Sequence, residues 1–278
     1  MSVTAVGPAL DLDGPLPVVR RHSLLLTDGV LKEEAGDRWL NGVNVYGYPE
    51  GLPGLWEPCS TGTYRTKDEG SEISIPRFDS VAIYFPLTCS SLGMGDFNAW
   101  ASRAEAALDA TLSYGVEKVL AQGVIGSTNP AFVDTNLVEL TGAPVAPKIG
   151  LRYLDNAIAE LTGRDGMIHA GPAIIDAWGE GNGLRDNDHL ATPAGTRVVS
   201  GAGYVDLDPA SAAQASGTID WAFATGPIEV RVREGVDISE EESLDRSDNT
   251  VVYRAEKYVL AEWDTALQVG VRIDWSLA

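Results

Sequence analysis

Cysteine is nearly absent from this 278-residue chain, which carries only Cys59 and Cys89. Two thiols cannot make a disulfide scaffold, and nothing marks an oxidising compartment, so both are read as reduced. Histidine is almost as scarce. His22, His169 and His189 lie at no metal-ligand spacing from one another or from a cysteine, and His169, beside small residues in a strand pattern, reads as a satisfied structural histidine. Positive charge is short as well: 20 Lys and Arg stand against 40 Asp and Glu, a net charge of −20. Sequence-independent binding to nucleic acid needs a cationic surface that replaces condensed counterions, so this balance argues against it. Apolar runs stop well short of the roughly twenty residues that span a bilayer, and no membrane partner is expected. Arg20 and Arg21 follow a weakly apolar, proline-containing stretch, which is not the basic-then-apolar order of a secretory signal.

Catalytic vocabulary is missing too. The chain has no G-x-S-x-G elbow and no phosphate-cradling G-x-x-x-x-G-K-[ST] loop. Gly201-Ala202-Gly203 lacks the third glycine and the following helix of a dinucleotide loop and reads as turn chemistry. Asp237, Glu240, Glu241, Glu242, Asp245 and Asp248 are hard oxygen ligands in principle. They lack the order of a calcium loop and read as a solvated acidic excursion. No catalytic residue, metal ligand or cofactor site is therefore assigned.

What the chain has is strand and helix patterning of unusual length. In the closing stretch Val251, Tyr253, Ala255, Val259, Ala261 and Trp263 alternate with Arg254, Glu256 and Glu262. Leu267, Val269, Val271, Ile273 and Trp275 alternate with Gln268, Arg272 and Asp274. A period of two predicts two strands with one buried face, the first about 50 Å long at roughly 3.3 Å per residue. Between Asp96 and Gln122 the residues Phe97, Trp100, Ala104, Leu108, Leu112, Val116 and Leu120 make one apolar stripe. Asp96 as N-cap and Gly123 as C′ bound a helix of about 40 Å, long enough to be a spine.

Further helices are expected from Pro147 or Lys148 to Thr162, closed by Gly163, and from Gly171-Pro172 through Trp178. GEGNGLRDND reads as loop. Short strands are expected at Ser80 to Leu87, Met167 to Ala170, Thr196 to Ser200, Ile219 to Ala224 and Ile228 to Arg233. Residues 1–40, with Pro8, Pro15 and Pro17, read as an extended arm. Residues 41–78 hold six Gly and four Pro among Tyr46, Tyr48 and Trp56. They exceed an ordinary connection, and segments near Gly62 to Lys67 and Glu72 to Ile75 suit a projecting hairpin.

The order arm, hairpin, strand, spine helix, α/β region and closing strand with R-A-E-K resembles the major capsid proteins of tailed bacteriophages with the Hong Kong 97-type fold, which encapsulin shells share. The resemblance is clearest in AIAELTGRDGMIHAGPAIIDAW, LATPAGTRVVSGAGYVDL, TIDWAFATGPIEVRVREGVDI and NTVVYRAEKYVLAEWDTALQVGVRI. It implies an α+β fold with residues 1–40 as N-arm and 41–78 as E-loop. Residues 79–163 become a P-domain with its spine helix, 164–248 an A-domain, and 249–278 closing strands that return through the P-domain sheet.

By the same resemblance the chain is not an enzyme but a head-shell subunit located in the virion and assembled in the host cytoplasm. It would form pentamers and hexamers with itself and enclose DNA without sequence-specific binding. Portal, scaffolding and decoration proteins are further candidate partners. Tyr46, Tyr48, Trp56, Lys67, Arg254 and Glu256 are the candidate inter-subunit contacts. Some relatives link subunits through an E-loop lysine; Lys67 is the one lysine of that segment, and with no identifiable asparagine partner the expectation is non-covalent locking. An encapsulin nanocompartment shell is the near alternative, and a soluble hydrolase using paired carboxylates the distant one.

Overall fold

The computed structural model describes residues 15–32, 36–47, 75–90, 97–124, 126–182, 184–186, 189–205, 207, 217–245 and 250–277. In chain order its principal elements are β1 (Val81–Ser90), α1 (Phe97–Gln122), α2 (Pro147–Thr162), β2 (Met167–Ala170), α3 (Pro172–Asn182) and β3 (Arg197–Ser200). They continue with β4 (Ile219–Thr225), β5 (Ile228–Val232), β6 (Asp237–Asp245), β7 (Thr250–Trp263) and β8 (Gln268–Asp274).

The 14 residues of β7 are the axis of a five-stranded sheet. β5 and β6 lie end to end along one edge of β7, both antiparallel to it, and β1 pairs antiparallel with Thr250–Val259 along the other. Leu31–Lys32 of the arm adds a short parallel strand beyond β5. Spine helix α1 covers one face of this sheet, burying Ala104, Leu108, Leu112, Val116 and Leu120 against Ala255 and Val259, with Ile83 and Phe85 packed alongside. Gly115 lets the helix close on β1: a Cβ there would lie 2.8 Å from the Ile83 side chain.

The second sheet has seven strands, with β8, β4, β2 and β3 as its consecutive long members. Both faces are buried, and the alternation of side chains assigns each face its own core. On β4, Trp221 and Phe223 face the spine side while Ala222 and Ala224 face α2 and α3. On β2, Met167 and Ile168 divide in the same way. Phe132, in the loop that folds back after α1, joins the two sheets. Its ring lies 5.1 Å from Trp263 of β7 and 5.6 Å from Phe223 of β4, and its amide N–H donates to the Leu120 carbonyl at 2.8 Å. Gln268 Nε2 locks this loop by donating to the carbonyls of Ala131 at 2.9 Å and Phe132 at 3.2 Å.

Helix α2 follows its expected bounds because local chemistry sets both ends: Pro147 sits in the first turn, and Gly163 caps the last in the left-handed region at φ 59°. Its approach to β8 depends on Gly150, where an added Cβ would lie 1.9 Å from Ile273 Cδ1. Ile273 is fully buried and its methyl has nowhere to go, so Gly150→Ala is expected to lower stability by about 1–3 kcal/mol, read as a fall in thermal midpoint.

Three expectations are corrected. The acidic stretch from Asp237 is not a loop as far as Asp245: it is β6, a charged strand paired with β7. A strand on the rim of a sheet can hold its ladder without an apolar face, and charge there resists pairing with further chains. Helix α3 runs past Trp178 to Asn182, and Arg185–Asp186 is a short strand, so GEGNGLRDND is not all loop. Burial of Ile174, Ile175 and Trp178 offsets the roughly 1 kcal/mol that each helical glycine costs. Finally, the two closing strands do not share a sheet. β7 belongs with β1, whereas β8 pairs with β4 across Ile219–Thr225.

Candidate subunit interface

The face of the five-stranded sheet away from α1 carries a mixed set of side chains. Ala82, Tyr84, Pro86 and Thr88 of β1 are exposed there in alternation. β7 contributes half-buried Arg254, Glu256 and Tyr258, placed opposite Pro86, Tyr84 and Ala82. The Arg254 guanidinium lies 5.1 Å from the centre of the Tyr84 ring, and Arg233 lies 5.9 Å from that of Tyr258. Arg233 also pairs with Asp237 at 3.0 Å. A hydrogen bond to Glu256 and its negative charge raise the Tyr258 phenol above its usual range. Arg254 and Glu256 thus share one patch with two tyrosines, and Tyr84 is the more accessible of these.

Tyr46 belongs to a separate surface. Val43–Asn44 pairs antiparallel with Arg77–Phe78, and the Val45 N–H donates to the Pro76 carbonyl at 3.0 Å, so the two ends of the 41–78 segment meet at its root. Beside that root lies a cleft of about 690 Å³ with Val45, Tyr46, Pro227, Trp263 and Leu267 on its walls. Its lining also includes Asp165, Glu229, Glu262, Asp264 and Arg164. Glu229 pairs with Lys32, and Glu262 with Arg231. Burial pushes the Glu262 carboxyl up, the Arg231 cation opposes the shift, and neighbouring Glu229 adds to it. Tyr46 and Arg254 are therefore not brought together: Trp263 in the cleft wall is nine residues along β7 from Arg254, about 30 Å of strand. Tyr48, Trp56 and Lys67, like residues 62–67, residues 72–74 of the second expected segment and the Asp96 N-cap, lie outside the described residues.

A third junction has no counterpart among the sequence candidates. Glu117 is buried near the C-terminal end of the spine. Its carboxylate accepts from the Leu24 N–H at 3.0 Å, the Gly203 N–H at 3.0 Å and the Ser113 hydroxyl at 3.1 Å. Ser113 in turn accepts from the Leu25 N–H at 3.2 Å. One carboxylate therefore ties the arm to α1 and to the turn before Tyr204. The turn must be glycine, since a Cβ on Gly203 would lie 2.6 Å from Glu117 Cβ and 2.8 Å from the Tyr114 carbonyl oxygen. Burial raises the Glu117 carboxyl, against its three hydrogen bonds and the charge of Arg20.

Burial and the Glu117 charge hold the Tyr204 phenol well above its usual range. The Tyr204 ring packs edge-on to His169 at 5.3 Å. His169 Nε2 lies 3.0 Å from Thr225 Oγ1, so the imidazole has a core partner, while Nδ1 has none among the described residues. Burial pulls its pKa down to about 3. A serine four residues before a glutamate, flanking the apolar stripe at Leu112, Val116 and Leu120, was the available sign of Glu117.

Among the described residues no group of three or more His, Cys, Asp or Glu side chains could hold a metal ion, and no helix is long and apolar enough to cross a membrane.

No family model matches the chain, and no curated protein matches it in sequence. Solved structures do match it in shape. The capsid of an empty GTA particle aligns with 97% of this chain and 95% of its own, at 12% identity and a TM-score of 0.53. A chain of Gordonia phage Cozz aligns over 98% and 91% at 13% identity and 0.52. One of Mycobacterium phage Ogopogo aligns over 97% and 96%, also at 13% and 0.52. The overlap is end to end in both directions, and the chain has the α+β, Hong Kong 97-type capsid fold.

Proposed function

We propose that this chain is the major capsid protein of a tailed-phage-type particle, a subunit that assembles with its own copies into pentamers and hexamers of a closed shell around DNA. The observation that carries the reading is the end-to-end fold match to a GTA capsid chain, covering 95% of that chain. Structures of a GTA capsid and of phages favour a head shell over an encapsulin compartment. The net charge of −20 suits a wall that packaged DNA must not adhere to.

In this reading the spine helix and five-stranded sheet form the P-domain and the seven-stranded sheet with α2 and α3 the A-domain, which moves α2 and β8 out of the P-domain expected from sequence and β5 and β6 into it. Residues 1–40 are the arm and 41–78 the E-loop that reaches a neighbour. Tyr46, Tyr48, Trp56, Arg254 and Glu256 are contact residues, Lys67 locks non-covalently, and no catalytic role is assigned. The location is the virion shell, with portal, scaffolding and decoration proteins as partners at its surfaces.

Negative-stain microscopy and mass photometry of the purified chain test this. Closed particles of megadalton mass are expected, and deletion of residues 45–72 is expected to abolish or destabilise them. A chain that stays monomeric at every concentration and salt condition tried sinks the reading.

A further inference from the structure

The Glu117 junction and the Phe132 joint meet in one short turn. Leu24 opens the 3-10 turn Leu24–Leu26, so its N–H has no carbonyl to reach within that turn, and it donates instead to Glu117 Oε1 at 3.0 Å. The other oxygen, Oε2, holds the Gly203 N–H at 3.0 Å. Gly203 belongs to the turn Ala202–Tyr204, which lies so close to the spine that a Cβ on Gly203 would sit 2.7 Å from the Lys118 backbone nitrogen. Just before this turn, the Gly201 N–H donates to the Ala170 carbonyl of β2 at 3.1 Å. Tyr204 ends it, fully buried, with its ring stacked on Phe132 at 6.1 Å and edge-on to His169 at 5.3 Å. One carboxylate and one aromatic ring therefore separate the arm from the contact between the two sheets. Interiors packed at crystal density transmit small shifts rather than absorb them. Without the Leu24 N–H, Oε1 keeps one partner among the described residues, the Ser113 hydroxyl, and a buried carboxylate short of donors holds its remaining partners less firmly.

We infer that the seating of the arm at Leu24 is coupled to the Phe132 joint through Glu117, Gly203 and Tyr204. A chain whose arm leaves its seat has a loosened joint between the sheets, and a chain whose joint opens lets go of the arm, because a coupling free energy acts equally in both directions. The coupling is a property of the single chain and is independent of what the chain assembles into.

Hydrogen exchange on the full chain tests it. Leu24→Pro removes the donor and suits the backbone, since residue 24 opens a helical turn and Ser23 before it is already extended at φ −68° and ψ 163°. Leu24→Ala is its partner variant: it sheds most of the same side chain and keeps the N–H. Relative to Leu24→Ala, Leu24→Pro is expected to exchange about tenfold faster at Gly203 and also at Phe132 and Val133, whose amides donate to the Leu120 and Ala121 carbonyls. Amides of β7 serve as the reference for global unfolding. An arm contact that is merely local would speed exchange at residues 23–30 and leave Phe132 and Val133 level in the two variants, and that result overturns the coupling. The unsubstituted chain gives a second test that holds even where Leu24→Pro fails to fold. As urea is raised, the amides of Leu24, Gly203 and Phe132 are expected to converge on one opening that precedes β7. Three separate openings, or exchange of all three only together with β7, overturn it.

Discussion

Replacing Glu117 with alanine is expected to destabilise the subunit by about 3 kcal/mol, since each buried donor left without an acceptor costs roughly 1–3 kcal/mol. The change strands the Leu24 and Gly203 N–H groups, both buried and both served by this one side chain. In a chain of this size it should lower the thermal midpoint by roughly 6–12 °C. Glutamine is a sharper probe. The carboxylate uses one oxygen for Leu24 and Ser113 and the other for Gly203. An amide has a single oxygen, so one backbone donor must face an NH2 group in either orientation, and Glu117→Gln should lose about half as much. Hydrogen exchange distinguishes a latch from general weakening: amides of Ser23 to Val30 should lose protection first, while β4 and β8 keep theirs.

The pH dependence of the Glu117 junction has a definite sign. Because burial places the folded-state value above the unfolded one near 4.3, the folded state holds the proton more tightly. The contribution of Glu117 to stability is therefore full below the unfolded value and is lost as pH rises through the folded one. Glu117→Gln should remove that slope; a variant with the wild-type slope would show that another group produces it.

The legible parts of this fold were those with a local physical cause. The ends of α2 were readable because proline at one end and a left-handed glycine at the other act within a single turn. β2 was readable because the short apolar run Met167–Ala170 is bounded by turn residues. The division of β7 and β8 between two sheets was not. Alternation reports that one face is buried, and Val269, Val271 and Ile273 would look the same against any sheet. β6 was hidden for the opposite reason: its sequence is acidic with little apolar alternation, and what pairs it is the backbone of β7. Of the candidate interface, Arg254 and Glu256 were visible as the polar face of a strand. Tyr84 was not singled out because Val81–Ser90 is largely apolar and only tertiary packing selects its outer face. Glu117 escaped because its partners lie 93 and 86 residues away.

Acidification is expected to open the joint between the two sheets, and His169 is the group through which it acts. Thr225 Oγ1 donates its only hydrogen to the Gly226 carbonyl at 2.8 Å, so it must accept from His169 Nε2–H. The neutral tautomer is thereby set, and the proton taken up in acid goes to Nδ1. That atom is buried with no partner among the described residues. Its ring is packed on Phe132 at 5.0 Å and Tyr204 at 5.3 Å, and the Glu117 charge acts on Tyr204 in turn. A folded-state value of about 3 lies below the unfolded value near 6.5. His169 therefore leaves stability intact above pH 6.5 and withdraws it as pH falls toward 3, by roughly 4–5 kcal/mol over the whole window at 1.36 kcal/mol per unit. About 3 kcal/mol of this should be lost by pH 4. Acid acts on the whole chain, so the quantity to measure is the difference between wild type and His169→Phe in urea unfolding at pH 7.5 and pH 4. Phenylalanine keeps the ring contacts with Phe132 and Tyr204 and gives up the Thr225 bond, so it should be about 1 kcal/mol less stable at pH 7.5 and the more stable of the two at pH 4. Parallel curves for the two proteins across that range would show that His169 does not set the acid limit. Crossing curves would place that limit at the Phe132 joint, where the sheet of the spine and the sheet of β4 meet.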